Sequence, residues 1–448
     1  LFSTLSLGAR ALQAHRTAAA TASHNLQNAS TAGYARQRAT LATTDPESLA
    51  PVGFVGTGVR ISGVGQARDR FVEARLPQLF ASSAASQAQA TALTAVTAFD
   101  REGGVNLGGD VAKVFSSLRE LSLRPNDPAT RRGAVASAQA FAVSVNRAGN
   151  EIESARAAID DDIRGRVPDT NRALEAVARL NREIKIAAAQ GGGPPNDLLD
   201  ERQRAVDAAV QLTGAVVVPG KDGDVGLALK SGAALVVGDR ASVLDVVNDA
   251  DGRAVVRVDG DDVAGAAFSG FFGGAFAARD DDLGAVAAAL DTAVVALRDA
   301  MNTAHGQGFD EAGNPGGAFF TGADARSFAI DPGLAADPSR LAIAATAASS
   351  GDAGALQFLL RVESQTNPAG ALAGVAATFG ARAAAAQQNA DADDAVLAHG
   401  IAMREAASGV SVDEELVELQ RSERAFQAAS KVISTADSML ETLLNLKN

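Results

Sequence analysis

SVDEELVELQRSERAFQAASKVISTADSMLETLLNLKN, residues 411–448, decides how the chain is organised. It opens with Ser411 and Glu414, a capping-box spacing in which each side chain can satisfy the other residue's backbone N–H. From there an apolar residue returns every seventh position: Val412, Leu419, Phe426, Ile433 and Leu440. That spacing holds one stripe of a helix on a partner when helices supercoil. A second stripe runs beside it through Ala425, Ala429, Val432, Ala436, Met439 and Leu443. Glu423, Ser430 and Asp437 fall where a simple two-stranded zipper places apolar side chains. So wide an apolar surface asks for more than one neighbour. Taken alone, the segment also suits a terminal helix docked on its own domain.

The other end of the chain shifts that balance. In residues 1–28, LFSTLSLGARALQAHRTAAATASHNLQN, Leu5, Leu12, Ala19 and Leu26 recur every seven residues, with Phe2 and Ala9 in part of the companion seam. Both ends therefore carry heptad-spaced helices, each roughly 40–50 Å long at the α-helical rise. Their charges differ in sign. Residues 1–44 hold four Arg and no Asp or Glu, whereas 411–448 hold seven acids against four bases. The two arms are expected to pair with each other more readily than each with itself, a design for assembly.

A chain of 448 residues is long enough for two or three domains with a substantial core. Much of its 47% hydrophobic content is alanine, and aromatics make up 4%, with one Tyr and no Trp. Such a composition suits long, closely packed helices. The net charge of −13 argues against nucleic acid and anionic membranes as partners. With no cysteine, neither disulfides nor thiolate metal sites contribute. No run of 18 uninterrupted apolar residues is present, and the basic and apolar regions of a secretory signal are not seen at the N-terminus.

Four regions are expected. Residues 1–34 and 410–448 form terminal helical arms, and 35–64 a linker with short β structure, with a strand at Gly58–Val64. Residues 65–212 and 271–409 form a helical body, in which Pro77 kinks or delays a helix. Asn126-Asp127-Pro128 starts a long helix running toward Gln190, strained near Gly165 and Pro168, and the Gly/Pro break at 191–195 ends it. In 213–270 the apolar period switches to two, with Asp-Gly turns at Asp222-Gly223, Asp251-Gly252 and Asp259-Gly260. Twelve acids against six bases in 221–282 make this a small acidic β insertion, expected to face solvent on most sides. The fold class is thus mainly α with a small all-β insertion, an elongated multidomain α+β chain with a coiled-coil-like arm and a helical-bundle body.

No pattern of chemistry stands out. His15, His24, His305 and His399 are scattered and read as solvated or structural. The Gly53–Gly58 stretch lacks the Lys-Ser/Thr of a phosphate loop. Asp249-Ala-Asp251-Gly and Asp222-Gly-Asp224 resemble fragments of calcium loops without the bidentate Glu, and hairpin turns explain them. Asp160-Asp161-Asp162 reads as a solvated helix face. No cofactor, metal or catalytic role is expected.

Several stretches together carry a resemblance. Asn25-Leu26-x-Asn28-x-x-Thr31-x-Gly33-Tyr34-x-Arg36-Gln37 is similar to the motif shared by the bacterial flagellar rod, hook and junction proteins. Its Gly-Tyr-x-Arg-Gln form points to the junction branch, the hook-associated protein 1 (FlgK) family. Val55–Ile61 with Arg68-Asp69-Arg70-Phe71, Asn196-Asp197-Leu-Leu-Asp200-x-Arg202, Phe271–Gly274, Asn302-x-x-His305, Gly313–Gly316 and Gly409–Glu415 resemble further blocks of that family. Pro77 and the closing Leu-Asn-Leu-Lys depart from it. The resemblance implies a structural subunit joining hook to filament, built by packing terminal helices into a tube. Leu5, Leu12, Leu26, Val412, Leu419, Phe426, Ile433 and Leu440 would carry that packing. Asn25 and Asn28 would cap or bridge backbone groups, and Tyr34 would anchor the turn. Implied partners are other copies of the chain, the hook protein, hook-associated protein 3 and a cytoplasmic export chaperone on the C-terminal helix. Implied localisation is extracellular, on the flagellum, after type III export without a cleaved signal peptide. The alternatives are a hook or distal rod protein of the same axial family, or an adhesin displaying the β insertion.

Overall fold

The computed structural model describes residues 2–445 apart from 50, 52, 100–103, 192 and 348–350. Residues 446–448 of the expected closing helix, and Gly103 of an expected loop, lie outside the described residues. The chain opens with α1 (Phe2–Gln27) and turns into an antiparallel pair, β1 (Gln37–Thr43) with β4 (Val59–Gln66). Between those strands stands a short hairpin, β2 (Glu47–Leu49) with β3 (Gly53–Val55). The β structure of this linker is therefore larger than one strand at Gly58–Val64, because Gln37–Thr43 supplies an alternating partner for it.

The body begins with α2 (Arg70–Thr94), α3 (Leu107–Leu123), the 62-residue α4 (Pro128–Ala189) and α5 (Asn196–Thr213). Each start is written locally. Asp69 accepts from the N–H groups of Phe71 and Val72, and Asp127 from that of Ala129 at 2.9 Å with Pro128 in the first turn. Pro77 lies inside α2 and Pro168 inside α4, and neither ends its helix. Packing along both sides outweighs the one hydrogen bond each proline forgoes.

Seven short strands follow, β5 (Val216–Pro219), β6 (Val225–Ala228), β7 (Ala234–Val237), β8 (Arg240–Ala241), β9 (Leu244–Asn248), β10 (Ala254–Val258) and β11 (Asp261–Asp262). They form two sheets, ordered β5-β6-β7-β8 and β11-β10-β9. Asp259 and Gly260 have φ of 52° and 91°, the left-handed pair required by a two-residue turn between β10 and β11. Asp249 accepts from the N–H groups of Asp251 at 2.9 Å and Arg253 at 2.8 Å, so the calcium-like fragment is a hairpin turn.

This module is less solvated than its acidity suggests. Leu227, Leu235, Val236, Leu244, Ala254 and Val256 are buried in the same hydrophobic core as α4. Alternation puts one apolar face of each sheet inward and leaves the acids in turns and on the outer face.

The return to the body uses α6 (Phe271–Phe276), a π-helical turn over Ala277–Asp282, and α7 (Leu283–His305). Gly274 lets α6 approach α2, since a Cβ there would sit 2.0 Å from the Ala85 carbonyl oxygen. Then come β12 (Phe320–Thr321), β13 (Ala329–Ile330), α8 (Pro332–Ala336), α9 (Leu356–Thr366), α10 (Pro368–Ser408) and α11 (Val412–Asn445). Within Leu356–Asn445 an 18-residue window reaches a mean hydropathy of 1.2, which by length and composition alone suffices to cross a membrane. The fully buried Phe115, Phe141, Phe272, Phe319, Phe320 and Phe328 anchor the core of the body. The arms stand apart from it: α11 runs antiparallel along α1, bringing Glu415 to Asn25 and Ile433 to Gly8.

Candidate functional site

The seam between the arms is built from small residues. Gly8, Ala14, Ala18 and Ala22 of α1 are buried, as are Ser422, Ala429 and Ala436 of α11. A Cβ on Gly8 would lie 2.6 Å from Cγ1 of Ile433, so the two backbones are close. Leu5, Leu12, Leu26, Leu419, Ile433 and Leu440 are half-buried flanks of this seam, while Val412 and Phe426 are exposed. Heptad spacing marks the contact face, but alanines fill it and the larger residues stand at its margins. Val417, Val432, Met439, Leu443 and Leu444 add to the exposed apolar surface. A contiguous surface of this kind marks an interaction site.

Where the arms meet the body, the seam turns polar. At the end of α1, Asn28 donates to the His24 carbonyl at 3.0 Å, and Gly33, at φ 73°, reverses the chain. The reversal returns Tyr34 to α1, where its hydroxyl donates to Asn25 Oδ1 at 2.8 Å. The same oxygen accepts from the Gln37 N–H at 2.9 Å. Asn25 Nδ2 donates to the Gln37 carbonyl at 2.8 Å and to Glu415 Oε2 at 2.9 Å. All four hydrogen-bonding positions of this buried amide are filled. Burial pushes the Tyr34 phenol well above its ordinary range, and the charges of Asp197, Asp200 and Glu415 push it further. The hydroxyl therefore stays a donor.

Arg36 closes the knot from the arm side. Its guanidinium lies 2.6 Å from Glu414 and 2.5 Å from the buried Glu415, and its backbone N–H donates to the Ser408 carbonyl at 2.8 Å. Its Nε is not aligned for a hydrogen bond, so the contact with Glu415 is an ion pair. Because Glu414 turns to Arg36, only half of the capping box forms: the Glu414 N–H reaches Ser411 Oγ at 3.5 Å.

The body side comes from the start of α5. Asp200 accepts from the Ala35 N–H at 3.1 Å, from Gln66 Nε2 at 2.7 Å and from the Arg68 guanidinium. Asp197 accepts from Gln37 Nε2 at 2.8 Å and faces His24 Nε2 at 3.2 Å. Asn196 donates to the Val64 carbonyl at 3.0 Å, and its own carbonyl accepts from Gln66 at 2.9 Å. Arg202 lies elsewhere, donating to Asn181 at 3.0 Å and to the Gly223 carbonyl at 2.9 Å, and so joins α5 to the β module. Nine of the ten motif residues thus converge on one junction, and Arg202 does not.

The junction also contains residues that motif reading does not single out. Arg404 pairs with Asp207 at 3.3 Å, and Arg68 stands 3.8 Å from Glu73. Burial raises the carboxyls of both Asp207 and Glu73, and the arginines only partly offset it. One signal for Glu415 was available: it shares a heptad phase with Ser422, Ala429 and Ala436. Among the described residues, no group of three or more His, Asp or Glu side chains is placed to hold a metal ion. What the arrangement can do is mechanical. It clamps two antiparallel arms to each other, to the linker sheet and to the body.

Comparison with known proteins places this architecture. The sequence profile of the flagellar hook-associated protein FlgK helical domain matches residues 96–320, just over half of the chain. That of the flagellar basal body rod FlgEFG protein C-terminal region matches 405–446. Flagellar hook-associated protein 1 of Salmonella typhimurium is 28% identical over 69% of this chain and 58% of its own length. The protein of that name in Bacillus subtilis is 24% identical over 99% of this chain and 98% of its own. The chain thus spans 58% of the length of the Salmonella relative. The solved flagellar hook junction protein FlgK of Burkholderia pseudomallei aligns at a TM-score of 0.49 and 27% identity, over 55% of this chain and 46% of that one. With its profile match covering half of its length, the chain belongs to the FlgK family of flagellar hook-associated proteins.

Proposed function

We propose that this chain is a non-enzymatic structural subunit of the bacterial flagellum that joins hook to filament. The observation that carries the reading is the arm pair. Two helices from opposite ends of the chain close through a small-residue seam and leave their larger apolar side chains outward. In water that surface is a cost; against further copies of the same arm it becomes a core. Leu5, Leu12, Leu26, Val412, Leu419, Phe426, Ile433 and Leu440 then pack at the margins of neighbouring arms, and the polar junction fixes the arms on the body. The named relatives from Salmonella typhimurium and Bacillus subtilis are hook-associated proteins, which supports the same assignment.

The reading extends to partners and place. Other copies of the chain form a ring or helical layer, with hook protein on one side and hook-associated protein 3 on the other. An export chaperone covers α11 before secretion, and the subunit reaches the flagellum by type III export without cleavage. The decisive test removes Val412–Asn448. The truncated chain is expected to retain a folded body and to be absent from the hook–filament junction, with filament growth lost. Normal filaments assembled with that deletion would sink the proposal.

A further inference from the structure

Among the described residues no third strand pairs with the hairpin β2–β3, and two-stranded hairpins are marginal alone in water. It presents Phe54, 77% exposed, and the exposed Val55. On its stem Asp45 and Glu47 are exposed and form no ion pair among those described. The hairpin springs from the level of the outer arm, because Gly58 at its base lies against Leu7, next to Gly8 and hence to Ile433.

At that same level α11 carries an opposite pattern. Val432, Met439 and Leu443 follow one another along one side of the helix and are exposed. Arg424 and Lys431 stand beside them, exposed and with no ion pair among those described. An apolar knob with two free acids thus matches an apolar stripe with two free bases. Within one chain β1 and β4 pack on α1, and no comparable contact of α11 with that sheet or with the hairpin is seen among the described residues.

We infer that the β2–β3 hairpin of one copy docks on α11 of the next copy, with Phe54 set against Val432 and Met439 and the acidic stem beside Arg424 and Lys431. One patch lies on the linker hairpin and the other on α11, so a contact of one copy's hairpin with the next copy's α11 joins two different surfaces and is heterologous. Repeated, a heterologous contact closes a ring or extends a helix rather than stopping at a dimer. This inference rests on the reading that copies assemble through their arms, and adds the surface that passes the contact from one copy to the next.

The test uses the full chain at assembling concentration. The protein has no cysteine, so a Phe54→Cys and Val432→Cys pair reports one proximity. Oxidation is expected to give a ladder of inter-chain disulfides in assembled protein and none in dilute monomer. Phe54→Ser is expected to raise the concentration needed for assembly by about tenfold or more, the effect of exposing one aromatic side chain, with helix content unchanged. Glu47→Lys should weaken assembly, and Lys431→Glu added to it should restore it. If Phe54→Ser assembles like the parent while removal of Val412–Asn448 abolishes assembly, the hairpin contact is wrong and arm-driven assembly stands. If neither change affects assembly, both fall. Failure of the charge swap to rescue, or a 54–432 disulfide formed within one chain, likewise overturns the contact.

Discussion

Asn25 and Glu415 stand 390 positions apart in the chain and share a hydrogen bond of 2.9 Å in the buried seam between the first and last helices. The bond is one of four made by Asn25, which leaves the amide no alternative partner to use. A buried polar group satisfied in this way holds its neighbours in one arrangement, since displacement strands every member of the network.

Asn25→Ala is therefore expected to loosen the root of the arm pair by about 2–4 kcal/mol, as Tyr34, Gln37 and Glu415 lose a common partner. Asn25→Asp should be worse, because it sets a second carboxylate against Glu415 and against the Gln37 carbonyl. Amide exchange of peptides from α1 and α11 is the measurement. Protection should fall in the order parent, Ala, Asp, with exchange in α3 and α4 unchanged.

Asp200 ties the linker and the arm turn to α5 through Ala35, Gln66 and Arg68. Removing one member of a buried, paired cluster costs about 3–5 kcal/mol where it leaves the other charge behind. Asp200→Ala is expected to free the arm root while the body stays folded. Limited trypsin digestion reads this directly, with faster cleavage after Arg36, Arg38 and Arg404 than in the parent.

The sequence carried the arms and the alternation of helix and strand, but it misled about what fills the seam. Heptad counting gives weight to Leu12, Leu419 and Phe426, whereas the contact is made by Gly8, Ala14, Ala18 and Ser422, together with Ala429 and Ala436 of the second stripe. Large residues dominate a periodicity even where small ones permit the close approach. Motif positions such as Asn25, Gln37 and Asp197 were visible one block at a time. Their convergence is a property of a fold that joins residues 12 and 160 positions apart, and no local pattern encodes it. The β module misled differently, because its acids sit in turns while its alternate valines and leucines extend the core of α4.

Gly8 makes the seam testable from the other end. Gly8→Val places branched carbons where Cγ1 of Ile433 stands 2.6 Å from the position of even a single Cβ. The outer arms are expected to separate while the junction at Asn25 holds. Amide exchange should then speed up at the outer end of α1 and in α11 beyond Ile433. It should stay slow near Ala22 and Glu415, a gradient along the arm that uniform destabilisation would not produce.

His305 supplies a pH dependence of known sign. Its Nδ1 lies 2.8 Å from the Gly317 carbonyl and its Nε2 accepts from the Ala342 N–H at 2.9 Å. Both roles require the neutral ring with the proton on Nδ1, and burial holds its pKa below the ordinary value of 6.5. The unfolded chain takes up the proton at that ordinary value while the folded chain resists it. The stability contributed by His305 is therefore full above about pH 6.5 and is lost as pH falls toward the depressed folded value. Glu73 and Asp207, raised by burial, act in the opposite sense, so comparison with His305→Gln isolates the histidine. Denaturant unfolding of the body should show the parent more stable than the variant at pH 7.5, with the gap narrowing steadily between pH 6.5 and 5. A gap that stays constant over that range would mean the imidazole is not held neutral by these two bonds.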